Sequence, residues 1–241
     1  MKIQDIEYHA DGARLVGTLA VDDGRTGRRP GVLVCHEGGG LGDHARNIAK
    51  RLAGLGYVAL AMDYYGDGKP LTDFSQAMTR IGGWMADATG IRARAAAALE
   101  VLKAQPETDA SRLAAIGYCF GGTTAFELAR SGADLKAAIG FHSGLGTARP
   151  QDAANIRGVI LAAIGADDPI IPVAQRTAFE EEMTAAGVDW RMHVYGGVGH
   201  SFTNPDVGQL GRPGFDYDAA ADRRSWAAMM ELFGEVFGPI E

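Results

Sequence analysis

Six short runs, nearly all apolar, recur along the chain: PGVLVCH, YVALAMD, RLAAIGY, LKAAIGF, GVILAAIG and WRMHVYG. Runs of this length without polar alternation suit strands covered on both faces. An earlier segment, ARLVGTLAV, alternates in the manner of an antiparallel strand. Between the runs lie helix-like segments. DHARNIAKRLAGLG has Asp43 as candidate N-cap and Gly56 as stop, and MADATGIRARAAAALEVLKA reads as one long Ala-rich helix. GGTTAFELARSG, VAQRTAFEEEMTAAG (behind Pro172) and DAAADRRSWAAMMELFGEVF complete the set. Strand and helix in alternation predict an α/β fold, a mostly parallel central sheet with helices on both faces. In such sheets chemistry collects just past the carboxyl ends of the strands.

The residues found there are chemically able. The run RLAAIGY leads into Gly117-Tyr118-Cys119-Phe120-Gly121, a G-x-S-x-G frame with sulfur in place of the serine oxygen. A strand-to-helix turn this tight needs glycine on either side of a strained nucleophile, and it aims a helix N-terminus at the side chain. A free cysteine is more often a small buried packing residue; the glycine frame favours the nucleophile. Hydrolases with this turn carry nucleophile, acid and histidine in that chain order. Here LAAIGADDPIIP ends one strand with Asp167 and Asp168, either of which could orient a base, and HVYGGVGHSFTNP follows the next with His200. His193 sits mid-strand and reads as structural.

A glycine-rich loop after an early strand, His36-Glu37-Gly38-Gly39-Gly40, stands where this kind of fold keeps an oxyanion donor. The backbone N–H groups of Gly38 and Phe120 are the candidate pair. A carboxylate on that loop is costly unless hydrogen-bonded, and the expected partner of Glu37 is the Cys119 thiol. The loop carries no phosphate-binding signature: no G-x-x-x-x-G-K-[ST] or G-x-G-x-x-G occurs, and the glycines after His36-Glu37 break any H-E-x-x-H. Neither cofactor nor metal is expected.

These motifs together resemble the dienelactone hydrolase (carboxymethylenebutenolidase) family of the α/β-hydrolase fold, from VLVCHEGGGLGDHARNIAKRLAGLGYVALAMDYYG through IGYCFGG to GHSFTNP. The resemblance implies a triad of Cys119, Asp168 and His200, with Asp168 filling the last place of the family's G-x-x-D pattern. It makes Glu37 an active-site glutamate that holds the resting thiol and takes its proton when substrate enters. It also implies a small lactone or carboxylic ester as substrate. Members acting on dienelactone itself grip its carboxylate with arginines, one before the nucleophile turn and one just after the histidine. The second place is Asn204 here, and Arg80 lies in the segment of the first. Tyr65 and Trp84 are candidate pocket walls. Two other readings were weighed: a thiol amidase, which needs a His-x-Glu pair this chain lacks, and a ligand-binding protein without catalysis, which usually loses a triad residue.

Bulk properties set the outer bounds. The 241 residues, without repeat, charge block or linker, read as one domain, 1–241. A net charge of −7 argues against nucleic acid or an anionic membrane surface as partner. No apolar run is long enough to span a bilayer, and the first residues, MKIQDIEYHADG, lack the apolar stretch of a signal peptide. Two cysteines make no disulfide framework. The expectation is a cytoplasmic protein, monomer or small homo-oligomer.

Overall fold

The six runs become six adjoining parallel strands, the first five buried along their apolar stretches and the last, which carries Arg191 and His193, partly exposed at the sheet edge. In the computed structural model, which describes residues 1–240, these are β3 (Arg29–Cys35), β4 (Val58–Met62), β5 (Thr108–Tyr118), β6 (Ala137–Phe141), β7 (Val159–Gly165) and β8 (Trp190–Tyr195). Every residue of β3, β4 and β6 is buried. Two earlier strands, β1 (Lys2–Ala10) and β2 (Ala13–Val21), extend the sheet to eight in the order β1-β2-β4-β3-β5-β6-β7-β8. β2 runs antiparallel to both its neighbours. The last residue of the expected domain, Glu241, lies outside the described residues.

Six helices cover the sheet: α1 (Asp43–Gly54), α2 (Phe74–Ala86), α3 (Thr89–Lys103), α4 (Phe120–Arg130), α5 (Val173–Ala185) and α6 (Ala219–Phe237). Alternate residues of one strand serve opposite layers, as the two-residue period of a strand requires. Val32 and Val34 of β3 pack with α1 and α6, in a layer with Leu52, Trp226 and Phe233. Leu33 and Cys35 face the other layer, with Leu99 of α3, Phe126 of α4 and Phe179 of α5.

Two local expectations are corrected, and one strand comes without a prior expectation. The single helix expected over residues 85–104 is broken: Asp87 is extended, at φ −141° and ψ 106°, and its carboxylate accepts from the Thr89 N–H at 3.1 Å and the Thr89 hydroxyl at 2.7 Å. A carboxylate two residues before a threonine offers the backbone a cap in place of a helical turn. Asp43 is the first residue of α1 rather than its N-cap, a position held by Gly42. β1 had no strand signal because it lies at the sheet edge, where only Tyr8 of its nine residues is buried. Asp11 and Gly12, both at positive φ, turn it into β2.

The chain winds from β3 to β4 on one side and resumes at β5 on the other. Strand order therefore reverses at β3, and a crevice opens past the carboxyl ends of β3 and β5. Glu37 follows the first of these strands and Cys119 the second.

Candidate active site

Between β5 and α4 the backbone turns within one residue. Cys119 is at φ 54° and ψ −121°, a conformation that costs a non-glycine residue about 1–3 kcal/mol. The glycines around it are required by space. A Cβ on Gly117 would meet the Gly121 carbonyl oxygen at 2.0 Å, and one on Gly121 would meet the Cys35 oxygen at 2.1 Å. On Gly122 it would meet Ser143 Oγ at 1.6 Å. The turn leaves the Cys119 side chain partly exposed at the head of a helix whose first N–H groups have no intrahelical acceptor. Phe120 supplies the first of these.

His200 and Asp168 come together beside it. Nδ1 of His200 is 2.7 Å from Asp168 Oδ2, and both side chains are wholly buried. The other carboxylate oxygen accepts from the N–H groups of Ile170, at 2.8 Å, and Ile171, at 3.2 Å. Asp168 thus caps the turn ahead of α5 and orients the imidazole at once, while Asp167 is exposed. Nε2 of His200 is buried without a hydrogen bond of normal geometry, but the Cys119 sulfur is close enough to act on it. Burial alone would lower the His200 pKa. The adjacent Cys119 sulfur, together with the hydrogen bond and charge of Asp168, overrides burial and raises it from 6.5 to about 10.

His142, one residue past β6, carries a site contact that the sequence reading missed. Its Nδ1 accepts from the Cys119 N–H at 3.2 Å, a donor shared with the Phe141 oxygen at 3.0 Å. Its Nε2 is 2.8 Å from Thr203 Oγ1, and its ring meets that of His200 edge-on at 5.2 Å. Burial and the neighbouring His200 charge push its pKa well below the usual range, so the ring is neutral. A histidine directly after a buried strand was the available signal.

The glycine loop is pinned by aromatic hydroxyls. Tyr64 Oη donates to the His36 and Glu37 oxygens, and Tyr65 Oη to the Gly38 oxygen at 2.9 Å. His36 stacks on Tyr64 at 3.6 Å and, with burial driving its pKa down to about 4, is neutral. The expected thiol contact of Glu37 is replaced by others. Its carboxylate accepts from Asn204 Nδ2 at 2.7 Å and Ser201 Oγ at 3.3 Å. Ser201 is held at φ 57°, which swings its hydroxyl and the following loop toward Glu37. Asn204 therefore serves the glutamate.

Tyr65, Trp84 and Phe120 form a continuous ring stack, with 5.7 Å and 5.8 Å between successive centroids. The Arg80 guanidinium lies over Tyr65 at 5.5 Å and donates to its carbonyl at 3.0 Å. Tyr65, Arg80 and Trp84 line a cavity of about 380 Å³ together with Arg94. Since Phe120 follows Cys119 directly, this aromatic wall adjoins the turn that carries Cys119.

Comparison with known proteins gives consistent likenesses. The model of the dienelactone hydrolase family matches residues 15–237. A Methylorubrum extorquens protein named "Putative carboxymethylenebutenolidase" is 30% identical over 215 residues, covering 85% of this chain and 71% of that protein. The crystal structure of a dienelactone hydrolase-like promiscuous phosphotriesterase from metagenomic libraries superposes with a TM-score of 0.92 at 43% identity, covering 98% of both chains. The solved structure "m3DLH" gives 0.94 at 48% identity over the same shares.

Proposed function

The chain belongs to the dienelactone hydrolase family, and from that premise we propose that it cleaves a small lactone or carboxylic ester through Cys119, His200 and Asp168, assisted by Glu37. The observation that carries this reading is the buried His200–Asp168 pair set against a cysteine at φ 54°. An imidazole held by a carboxylate on one nitrogen and facing a thiol with the other is the arrangement nucleophilic acyl transfer needs.

The raised His200 pKa assigns the protons. Beside a thiolate the imidazole stays protonated at neutral pH, ready to give its proton to the leaving oxygen. The thiol proton then needs a second acceptor, and the loop carrying Glu37 runs against the turn, with the Cys35 and His36 oxygens touching Gly121. In this reading substrate entry releases Glu37 from Asn204, and the carboxylate takes the proton from sulfur. The thiolate adds to the carbonyl carbon, and the oxyanion forms against the N–H groups of Phe120 and Gly38. Collapse breaks the C–O bond as His200 protonates the alkoxide or enolate. The neutral imidazole next draws a proton from water, whose oxygen adds to the thioester carbonyl and breaks its C–S bond. The departing thiolate takes back the proton held by Glu37, and the carboxylate returns to Asn204.

Turnover of p-nitrophenyl acetate tests the core of the proposal: Cys119→Ala is expected to lose at least about 10³-fold in kcat, and a folded variant keeping full activity would falsify it. The role of Glu37 is read from alkylation of Cys119 with and without a non-hydrolysable lactone analogue. Ligand is expected to speed alkylation in the wild type and leave Glu37→Gln unchanged. The likeness to a promiscuous phosphotriesterase supports a side activity, with the same thiolate displacing an aryloxide from phosphorus. Paraoxon turnover that disappears in Cys119→Ala is the expected result.

A further inference from the structure

His44 takes no part in the steps above, yet it faces the residue on which they turn. It is the second residue of α1, just past the glycine loop, and its Nδ1 lies 3.6 Å from Glu37 Oε2. Neither of its ring nitrogens has a hydrogen-bond partner among the described residues, and both are shut off from solvent. The Tyr118 hydroxyl is in the same condition, and the Tyr118 ring meets His44 edge-on at 4.7 Å. Buried polar atoms are rarely left unpaired without a functional or structural reason. Here three of them cluster beside a carboxylate that must change partners. The His44 ring is also within electrostatic reach of Asp222 on α6 and of His142.

We propose that His44 is a positioning residue for Glu37, holding its carboxylate on the Asn204 side until substrate draws it toward Cys119. This rests on the reading of Glu37 as acceptor of the thiol proton. At 3.6 Å the pair is in ion-pair range but longer than a hydrogen bond. A contact this loose attracts the carboxylate without locking it, which suits a group that leaves and returns. Asn204 alone, an uncharged donor, holds an anion less strongly than a pair that includes a cation-capable ring.

A double-mutant cycle separates this role from packing. His44→Phe keeps the ring against Tyr118 and removes both nitrogens; His44→Gln runs the same cycle should the phenylalanine variant not fold, with thermal melting as the check. With p-nitrophenyl acetate, His44→Phe is expected to lower kcat about tenfold while KM changes less than about twofold. In a Glu37→Gln background the same substitution is expected to cost under about twofold. Wild-type activity in His44→Phe, or an equal loss in both backgrounds, overturns the proposal while leaving the Glu37 reading intact. A Glu37→Gln enzyme with undiminished kcat removes that reading first, and this one with it.

Discussion

His200 sits between the Cys119 sulfur and the Asp168 carboxylate, and its response to pH follows from that. Its pKa is raised from 6.5 to about 10 against the opposing effect of burial, because the Cys119 sulfur and Asp168 both favour the charged ring. A leaving-group acid must hold its proton, so kcat for an ester substrate is expected to fall as pH climbs through about 10. Asp168→Asn should move that alkaline limb to lower pH and cut kcat by roughly 10²–10⁴-fold, since both the charge and the tautomer are lost. A pH–rate profile whose alkaline limb is unmoved by the substitution contradicts the assignment. The same shift has a sign for folding: the stability it contributes is fully present below 6.5 and disappears as pH rises toward 10. Cys119, His200 and the pair Asp167-Asp168 were legible in the sequence because they follow strands in the chain order this chemistry uses, and the family's G-x-x-D pattern singled out Asp168. The partner of Glu37 was not, because it depends on Ser201 adopting φ 57°, which no residue type announces. His142 was missed although it obeys the same strand-end rule, because the strand before it ends in no motif.

The turn that carries Cys119 works as an element only because β5, α4 and the loop after β3 approach more closely than any Cβ allows. The methyl group of Gly121→Ala would stand 2.1 Å from the Cys35 carbonyl oxygen, and backbone cannot yield as a side chain can. The expected cost is about 3 kcal/mol or more in urea unfolding, with loss of activity in whatever fraction still folds. Gly196→Ala is the matched control: nothing lies within 4 Å of its added Cβ, and stability should stay within about 0.5 kcal/mol of wild type. Comparable losses in the two variants would mean that contact at Gly121 does not set the cost, since the entropic effect of Gly→Ala is itself stabilising. Elements buried on both faces were the easiest to read, because β3 to β7 carry their signal in unbroken apolar runs. Elements at the margins were harder. β1 has solvent on most of its residues, and the gap between α2 and α3 is decided by one aspartate side chain, Asp87, within an Ala-rich stretch whose propensity favours continuous helix.

At the scale of the molecule, the helix that presents Cys119 is anchored at its far end by buried charge. Arg130, wholly buried, donates to Glu182 of α5 from Nε at 2.7 Å and Nη2 at 3.0 Å, and to Glu127 at 3.1 Å. Arg92 of α3 continues the network, with Nε 2.8 Å from Glu127 and Nη1 2.5 Å from Asp152. One cluster thus joins three helices and the 3-10 turn at Pro150–Asn155. α4 has 11 residues, so at about 1.5 Å of rise per residue the cluster lies roughly 15 Å from the sulfur. That separation predicts a division of labour. Arg130→Met leaves Glu182 without the cation that pairs it and Glu127 with Arg92 alone, which should cost about 3–5 kcal/mol in urea unfolding. Below its lowered melting temperature the variant should keep kcat for p-nitrophenyl acetate within about twofold, since no step of the proposed reaction touches the cluster. Replacing Glu182 by leucine in the same chain removes the stranded charge while Glu127 keeps Arg92, so most of the lost stability should return, as it does where an apolar set replaces a buried ionic one. If Arg130→Met instead lowers kcat tenfold with stability unchanged, the cluster is coupled to the nucleophile along the helix axis, and the separation of anchor from chemistry is wrong.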